Sequence, residues 1–467
     1  MADKFPETDT VHDAVIVGGG VIGCATARRL TLEGWRVVLL EKAVDLLDGA
    51  SKGNSAILHT GFDAPPGSLE QRCVADGYAE YLEIHEELGL PLDRAGALVI
   101  AWNAEEEDLL PDLMAQAREN GVDDVALLSA NQTRRLEPEL ARGLKASFRV
   151  PREYLIDPWS TPHAYVQQAV VNGASIVRCC AVTGGKYDGD QWQLQTSLGV
   201  VRGRIVINAA GLFGDKVDEM LMGRQDFTIR PRKGQFVVYD KPAAKLTRHV
   251  LLPVPNKITK GIVVCRTVFG NLLVGPTAEE QEDRETAELV PETLAALRQR
   301  GAEILPALAG EDITAVYAGL RPATEFKDYQ IRSHPGLKYV SVGGIRSTGL
   351  SSALGTARYV HSLCADILNR SALPDPLVPP RMMLAEDQTR DWQRPDNGGI
   401  VCHCERVTRR EIEAALDGTA GALSLAGLKR RTRVTMGRCQ GNYCAATLAA
   451  ITKGRIVPAI AKTVDDG

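Results

Sequence analysis

The chain has no run of roughly 18 consecutive apolar residues, the length that a membrane-spanning helix needs. Its first ten residues, MADKFPETDT, are polar and lack the apolar centre of a secretory signal. Net charge is slight, -5 over 467 residues, so no overall field invites nucleic acid or an anionic surface. Internal repeats and low-complexity tracts are missing too. These absences argue against a membrane span and a nucleic-acid partner. The expected location is cytoplasmic, with any membrane association left to partner proteins.

What is present is ordinary globular composition, 44% hydrophobic and 24% charged, in a length that suggests two to three domains. The ten cysteines are unevenly spread. Cys24, Cys73, Cys179, Cys180, Cys265 and Cys364 are scattered and read as free thiols. Cys402, Cys404, Cys439 and Cys444 fall in the last 66 residues as two close pairs, which in a reducing compartment means metal ligation or redox chemistry.

Residues 14–17 form an apolar run that breaks into Gly18-Gly19-Gly20, continues with helical character over 21–32, and returns as a strand over 36–40 ending at Glu41. This is a strand–helix–strand unit. Helices are expected over about 68–88, 105–119, 136–140 and 165–171, and strands over 96–101, 175–182 and 204–208. Short β-type runs at 232–240, 261–265 and 271–274 suggest an antiparallel sheet, before a strand at 339–344 and a helix over about 352–368 restore the αβ pattern. The proline-bearing stretch 373–397 reads as an extended linker to a short, basic, cysteine-rich end.

Gly18, Gly20 and Gly23 satisfy G-x-G-x-x-G. The first glycine permits the tight turn, the second lets the backbone approach a pyrophosphate, and the third allows close contact of helix and strand. Val21 and Ile22 lie in the first helical turn, whose free N–H groups face the phosphates. Glu41, followed by Lys42, lies 18 residues after Gly23, where its carboxylate can bond both ribose hydroxyls. No second fingerprint follows, which favours one tightly held dinucleotide reduced by a separate substrate.

Several segments, GASKGNSAILHTGFDAPPGS from Gly49, VINAAGLFGD from Val206, RKGQ from Arg232 and GGIRSTGL from Gly343, join the fingerprint in a resemblance. The chain resembles the D-amino-acid-oxidase-type FAD family, in the branch of glycerol-3-phosphate and L-2-hydroxyglutarate dehydrogenases. The resemblance implies an α/β fold: a Rossmann-like FAD-binding domain (about 12–90, 150–225 and 325–372) interleaved with an antiparallel-sheet substrate domain (about 91–149 and 226–324), the whole occupying residues 1–372. It places Ser51, Asn54 and Ser55 beside the pyrophosphate and ring, and Val182 against the adenine. Ala210 and Gly211 would close the site, while Gly344, Gly349 and Leu350 would approach the pyrimidine end of the ring.

Oxidation of an alcohol or amine needs its C–H aimed at the flavin and a group to take the remaining proton. His59 follows the segment that the resemblance sets against the ring, and histidine can accept a proton at neutral pH. A histidine merely packed there is the bland alternative. Arg321 and Arg346 each follow a glycine-flanked apolar stretch and are candidate clamps for a substrate anion. Relatives that use glycerol 3-phosphate commonly carry further basic residues near the first flavin loop, which here offers only Lys52, so phosphate and carboxylate both stay open.

Cys402-His403-Cys404 and Cys439–Cys444 make a C-x-C and a C-x4-C pair. Four thiolates suit either zinc or the two irons of a [2Fe–2S] centre. The stretches VCHCERV, KRRT and GRCQGNYC resemble the BFD-like [2Fe–2S] domain fused to anaerobic glycerol-3-phosphate dehydrogenase, and imply a small helical domain over 398–467. Between Glu405 and Arg455 there are ten Lys and Arg against four Asp and Glu. Within that excess, the run 429–433 offers support for a reduced cluster, a docking face for an acidic partner, or a solvated surface. The reading is an FAD-dependent dehydrogenase for a small anionic hydroxy substrate, passing electrons through the cluster to a protein subunit or quinone-linked partner, and oligomeric. An amine or imino-acid dehydrogenase, and an electron-transfer subunit without its own substrate, are the alternatives.

Overall fold

The computed structural model describes residues 3–7, 9–255, 261–365 and 367–461. Residues 1–2 and 462–467, the outer ends of the expected domains, lie outside the described residues, as does residue 366 of the helix expected over 352–368.

Strand β1 (Val11–Val17), helix α1 (Val21–Leu32) and strand β2 (Val37–Leu40) form the strand–helix–strand unit. β1 pairs in parallel with β2 on one side and with Gly199–Asn208 on the other. Ser175–Val177 extends the sheet beyond β2, and Tyr339–Gly343 pairs with the end of Gly199–Asn208, both in parallel. All four residues of β2 are buried, as in a parallel sheet covered on both faces. Helices Leu69–Ile84, Ser160–Val171 and Gly349–Cys364 pack with α1 over one face. Gly23 is fixed by this closeness: a Cβ there would lie 1.9 Å from the Gly18 carbonyl oxygen.

A second sheet of nine strands is almost entirely antiparallel. It draws Ala97–Ala101, Ala126–Ser129 and Ala146–Val150 from one stretch of chain and five longer strands, plus the short Glu279–Glu280, from another. Its longest pairing, Arg230–Tyr239 with Ile313–Ala323, sets Arg232 opposite Arg321 and Gly234 opposite Gly319.

Two elements differ from expectation. The helix expected over 136–140 ends where that range begins, as Ala130–Leu136 started by a Ser129/Gln132 capping box. Pro138 disfavours helical backbone at Glu137, which turns inward to His249 at 2.6 Å instead. The strand expected over 175–182 is broken after Val177, with Cys179 at φ 55°, and resumes as Val182–Tyr187.

The C-terminal module has a two-strand ladder, Ile400–Cys402 with Val407–Thr408, and three short helices, Arg409–Asp417, Leu425–Thr432 and Ala445–Thr452. The stretch leading to it runs without α-helix or strand but is packed: Leu384 and Ala385 enter the core of the second sheet, and buried Arg390 donates to the carbonyls of Leu384 and Glu405. The module's basic run is neither a solvated surface nor a free docking face. Arg431 and Arg178 both bond the buried carboxylate of Asp45, at 3.1 and 3.3 Å, which also accepts from Leu423 N and Ser424 Oγ. Arg430 donates to Leu46 O and reaches Asp48 at 3.4 Å. The acidic partners of Arg430 and Arg431 are carboxylates in the flavin half of the same chain.

Removing one member of such a buried network leaves the others uncompensated. Asp45→Ala is therefore expected to destabilise the protein by about 3–5 kcal/mol, whereas Asp417→Ala, which breaks a surface pair with Arg455, should cost under about 1 kcal/mol. Chemical denaturation of the two variants measures the difference.

Candidate functional site

The carboxyl ends of β1 and β2 and the inner face of the second sheet enclose a cavity of about 1110 Å³. That is at or above the roughly 300–1,000 Å³ of a small-ligand pocket, and the position follows the rule that open α/β sheets bind ligands at their strand carboxyl ends. Gly18, Gly20, Val21, Ile22, Glu41, Lys42, Ser51, Asn54, Ser55, His59, Val182, Ala210, Gly211, Arg321, Gly344, Arg346, Gly349 and Leu350 all line it. Gly23 does not, since its part is the contact of helix with strand.

At the dinucleotide end the loops converge on the N-terminus of α1. Ser51 Oγ accepts from Val21 N at 2.9 Å, and Gly20 faces the same oxygen, so the hydroxyl sits where a pyrophosphate would meet the helix. Glu41 takes Gly19 N at 2.6 Å on one oxygen and Ala43 N at 2.8 Å on the other. Both oxygens keep lone pairs for ribose hydroxyls, while burial pushes the carboxyl pKa up. Gly19 is a requirement that the motif does not announce: a Cβ there would stand 2.5 Å from Leu46 Cδ2 and 3.0 Å from Glu41 Oε2. These are the features of an FAD cradle. The segment around residue 285, from the second sheet, reaches over this end, with Glu285 on Lys42 at 3.0 Å and Arg284 on Asp215.

At the other end, His59 is held by a residue that sequence reasoning missed. Its Nδ1 lies 2.7 Å from Glu153 Oε2, and the other Glu153 oxygen accepts Thr60 N at 2.6 Å and Thr60 Oγ1 at 2.7 Å. Glu153 is wholly buried. A carboxylate that accepts an Nδ1 proton leaves Nε2 as the ring's acceptor, and His59 lines the cavity. Nothing local in the sequence pairs these residues, which are 94 positions apart.

The cationic side chains of the cavity divide sharply. Lys42, Lys52, Lys216, Arg232 and Arg284 are paired with Glu285, Asp48, Glu219, Glu280 and Asp215. Arg346 donates to Lys327 O and has Glu70 at 3.8 Å. Among the described residues, Arg321 is the one arginine or lysine lining the cavity without a carboxylate partner. Its Nη2 donates to Thr277 O at 3.0 Å, and burial pushes its pKa down to about 10, helped by neighbouring Arg232. Gly234 makes room for it: a Cβ there would sit 2.3 Å from Nη2. A desolvated cation without a counter-charge is a site for an anion.

In the cysteine module Cys402 lies beside Cys444 and Cys404 beside Cys439, so each member of the first pair faces one of the second. Cys402 and Cys444 are buried, while Cys404 and Cys439 are half-buried. Backbone N–H groups of Tyr443, Gly441 and Asn442 lower the Cys439 pKa, and burial with neighbouring Cys402 raises Cys444 to about 11. Among the described residues no group of three or more His, Cys, Asp or Glu could hold a single metal ion. Four sulfur donors in two facing pairs are the donor set of a [2Fe–2S] centre. Gly437 keeps the loop close, since a Cβ there would lie 2.3 Å from Cys404 Cβ, and His403 is exposed.

Glu41→Ala should weaken FAD retention by roughly 1.5–3 kcal/mol, the worth of a charged hydrogen bond. Flavin content after gel filtration measures it, and unchanged occupancy would remove Glu41 from the ribose.

Comparison with known proteins agrees with this geometry. Residues 13–363 match the family model described as FAD dependent oxidoreductase, and residues 400–453 match that of the BFD-like [2Fe-2S] binding domain. Glycerol 3-phosphate dehydrogenase of Caloramator mitchellensis is 33% identical over 443 residues, spanning 93% of this chain and 92% of that protein. One subunit of the anaerobic glycerol-3-phosphate dehydrogenase of Escherichia coli is 25% identical, across 97% of this chain and 90% of its own length. The solved structure of dithionite-reduced L-alpha-glycerophosphate oxidase from Mycoplasma pneumoniae with FAD bound matches with a TM-score of 0.74 at 28% identity, over 79% of this chain and 97% of that one. The chain is thus a member of the FAD-dependent oxidoreductase family, an enzyme whose flavin domain is followed by a BFD-like [2Fe–2S]-binding domain.

Proposed function

We propose that the enzyme oxidises glycerol 3-phosphate at its secondary hydroxyl to the ketone and exports the electrons through the [2Fe–2S] cluster. The observation that carries this reading is Arg321, the one cavity-lining arginine or lysine among the described residues that has no carboxylate partner. One unbalanced guanidinium suits a substrate with one anionic group. A dicarboxylate such as L-2-hydroxyglutarate asks for two, and Arg346 is already engaged by Lys327 and Glu70. The near full-length likeness to glycerol 3-phosphate dehydrogenases supports the same choice.

Bound FAD supplies a two-electron acceptor for the substrate C–H, and the cluster a one-electron outlet. The chain's own residues do the rest. Arg321 holds the phosphate through its guanidinium fork and so turns the substrate hydroxyl toward His59. His59 Nε2 accepts the hydroxyl proton as the C–H departs. Glu153 keeps the imidazole in the tautomer that leaves Nε2 free and stabilises the imidazolium that forms, while Thr60 fixes Glu153 in turn. Val99, Leu252, Val263 and Phe236 line the second-sheet wall of the cavity and exclude water from the reacting atoms. A cytoplasmic protein that meets a quinone-linked partner subunit, in an oligomer, belongs to the same proposal.

The test is anaerobic bleaching of the flavin by glycerol 3-phosphate, L-2-hydroxyglutarate and an N-methyl amino acid in parallel. Only the first should act at low concentration, and bleaching by either of the others alone would overturn the assignment. Arg321→Lys should raise KM for glycerol 3-phosphate by about 10- to 100-fold, on the order of 1.5–3 kcal/mol for a charged hydrogen bond, with FAD content unchanged.

His59→Asn should lower kcat by about 10²–10⁴-fold, as for loss of a general base. Glu153→Gln should show a smaller loss in kcat, because the imidazolium loses its counter-charge. An unchanged kcat in Glu153→Gln would separate Glu153 from the proton transfer.

A further inference from the structure

Three distant parts of the chain meet in one aromatic stack. Trp159 stands at the flavin cavity: its Nε1 donates at 3.2 Å to the carbonyl of Lys52, which lines the cavity, as does its neighbour Pro158. Asp157 fixes the turn by accepting Trp159 N and Ser160 N, each at 2.9 Å. The indole lies against Phe269 with ring centroids 5.8 Å apart and planes 13° from parallel. Phe269 belongs to the hairpin tip between Val263–Arg266 and Leu272–Gly275 and is buried. Over its ring, 4.0 Å from the centroid, is the guanidinium carbon of Arg433 from the cysteine module. Arg433 donates to Glu405 at 2.9 Å and to Asn271 of the same hairpin tip at 3.2 Å. Glu405 is the chain neighbour of Cys404.

Stacked rings and a guanidinium over an aromatic face are each favourable contacts, but a packing role alone does not explain where this series begins and ends. It starts at a residue hydrogen-bonded to the flavin loop and finishes beside a cluster ligand. Each member comes from a different unit: the flavin domain, the second sheet, the cluster module. Arg433 also balances the carboxylate of Glu405, the chain neighbour of Cys404, so that a reduced cluster is spared an unpaired negative charge beside it.

We propose that Trp159, Phe269 and Arg433 are positioning residues that form the contact route for electrons from the flavin to the [2Fe–2S] cluster. The inference rests on the reading that electrons leave through the cluster. Each substrate delivers two electrons and one proton to the flavin as a hydride. The electrons cross the stack singly, each taking one ferric ion of the cluster to ferrous. A one-electron acceptor protein or quinone-linked partner returns the cluster to ferric between the two transfers, and the proton leaves to water.

Phe269→Leu in the full chain, carrying both cofactors, tests this. The change keeps an apolar side chain and removes the ring. Mixed anaerobically with glycerol 3-phosphate, the variant should bleach its flavin at the wild-type rate but reduce its cluster, followed by electron paramagnetic resonance, more slowly by at least about tenfold. A readout that needs no turnover is redox titration of the cluster. Its midpoint should fall in Arg433→Gln and recover in Arg433→Lys, with iron content unchanged in both. Should Phe269→Leu lose iron, Phe269→Met takes its place with the same expected outcome. Wild-type cluster reduction in the ring-less variant, or an unmoved midpoint in Arg433→Gln, would overturn the route. If substrate never reduces the wild-type cluster although it bleaches the flavin, the reading of electron export fails instead.

Discussion

Asp45 is a buried carboxylate that four groups must satisfy at once, and the joint between the two halves of the molecule depends on it. Arg178 reaches it from the flavin sheet, while Arg431, Leu423 N and Ser424 Oγ reach it from the cluster module. In a low-dielectric interior such a charge is tolerable only with its full set of partners, so the arrangement is specific as well as cohesive. Asp45 stands on the loop that leads from Glu41 to Ser51. The module is therefore anchored on the segment that shapes the ribose and pyrophosphate contacts of the cavity.

Inside the cavity, charge placement makes the same kind of statement in reverse. Among the described residues most cations there are neutralised by a neighbour, and the exception, Arg321, is held where the strand register and a missing Cβ at Gly234 create space for a guanidinium. The His59–Glu153 pair, also at the cavity, is closed on its far side by Thr60, which fixes the imidazole in one orientation. The proposed function rests on these two features: an anion site at Arg321 and a base at His59, both lining the cavity, suit a small, singly anionic substrate whose oxidisable carbon bears a proton-donating group.

The parts of this molecule that were legible in the sequence are those whose physics is local. Gly18 and Gly23 announce a turn because no other residue fits there, and Cys402 with Cys404 announce ligation because two thiols two positions apart have little other use in a reducing compartment. Residues whose role depends on distant partners were not legible. Glu153 looks like any charged residue in a loop until the fold brings it to His59. The run around Arg431 shows its charge density in the sequence but not its pairing, so cluster support, a docking face and a solvated surface all stayed open, and the pairing of Arg431 with Asp45 was not foreseen. Arg346 and Arg321 look alike in their glycine-flanked settings, and only the packing separates the one already bonded from the one left unbalanced. The misplaced helix near residue 136 has a local cause, a proline whose effect on Glu137 outweighed the apolar pattern.

Among the described residues the cluster module has a core of ten buried hydrophobic residues, a small one by the standard of an independently stable domain. Two further sources of stability are available to it, the cluster bound by its cysteines and the contact with the flavin domain. The second is mediated by Asp45, Leu46 and Asp48 on one side and by the Phe269 hairpin tip on the other. Any ligand that orders the loop between Glu41 and Ser51 thereby favours the docked module, and by linkage a docked module favours that ligand to the same degree. If electrons leave as proposed, a module docked on the flavin's own loop would need no diffusing carrier for the first transfer, and the half-exposed Cys404 and Cys439 side would serve the outward step.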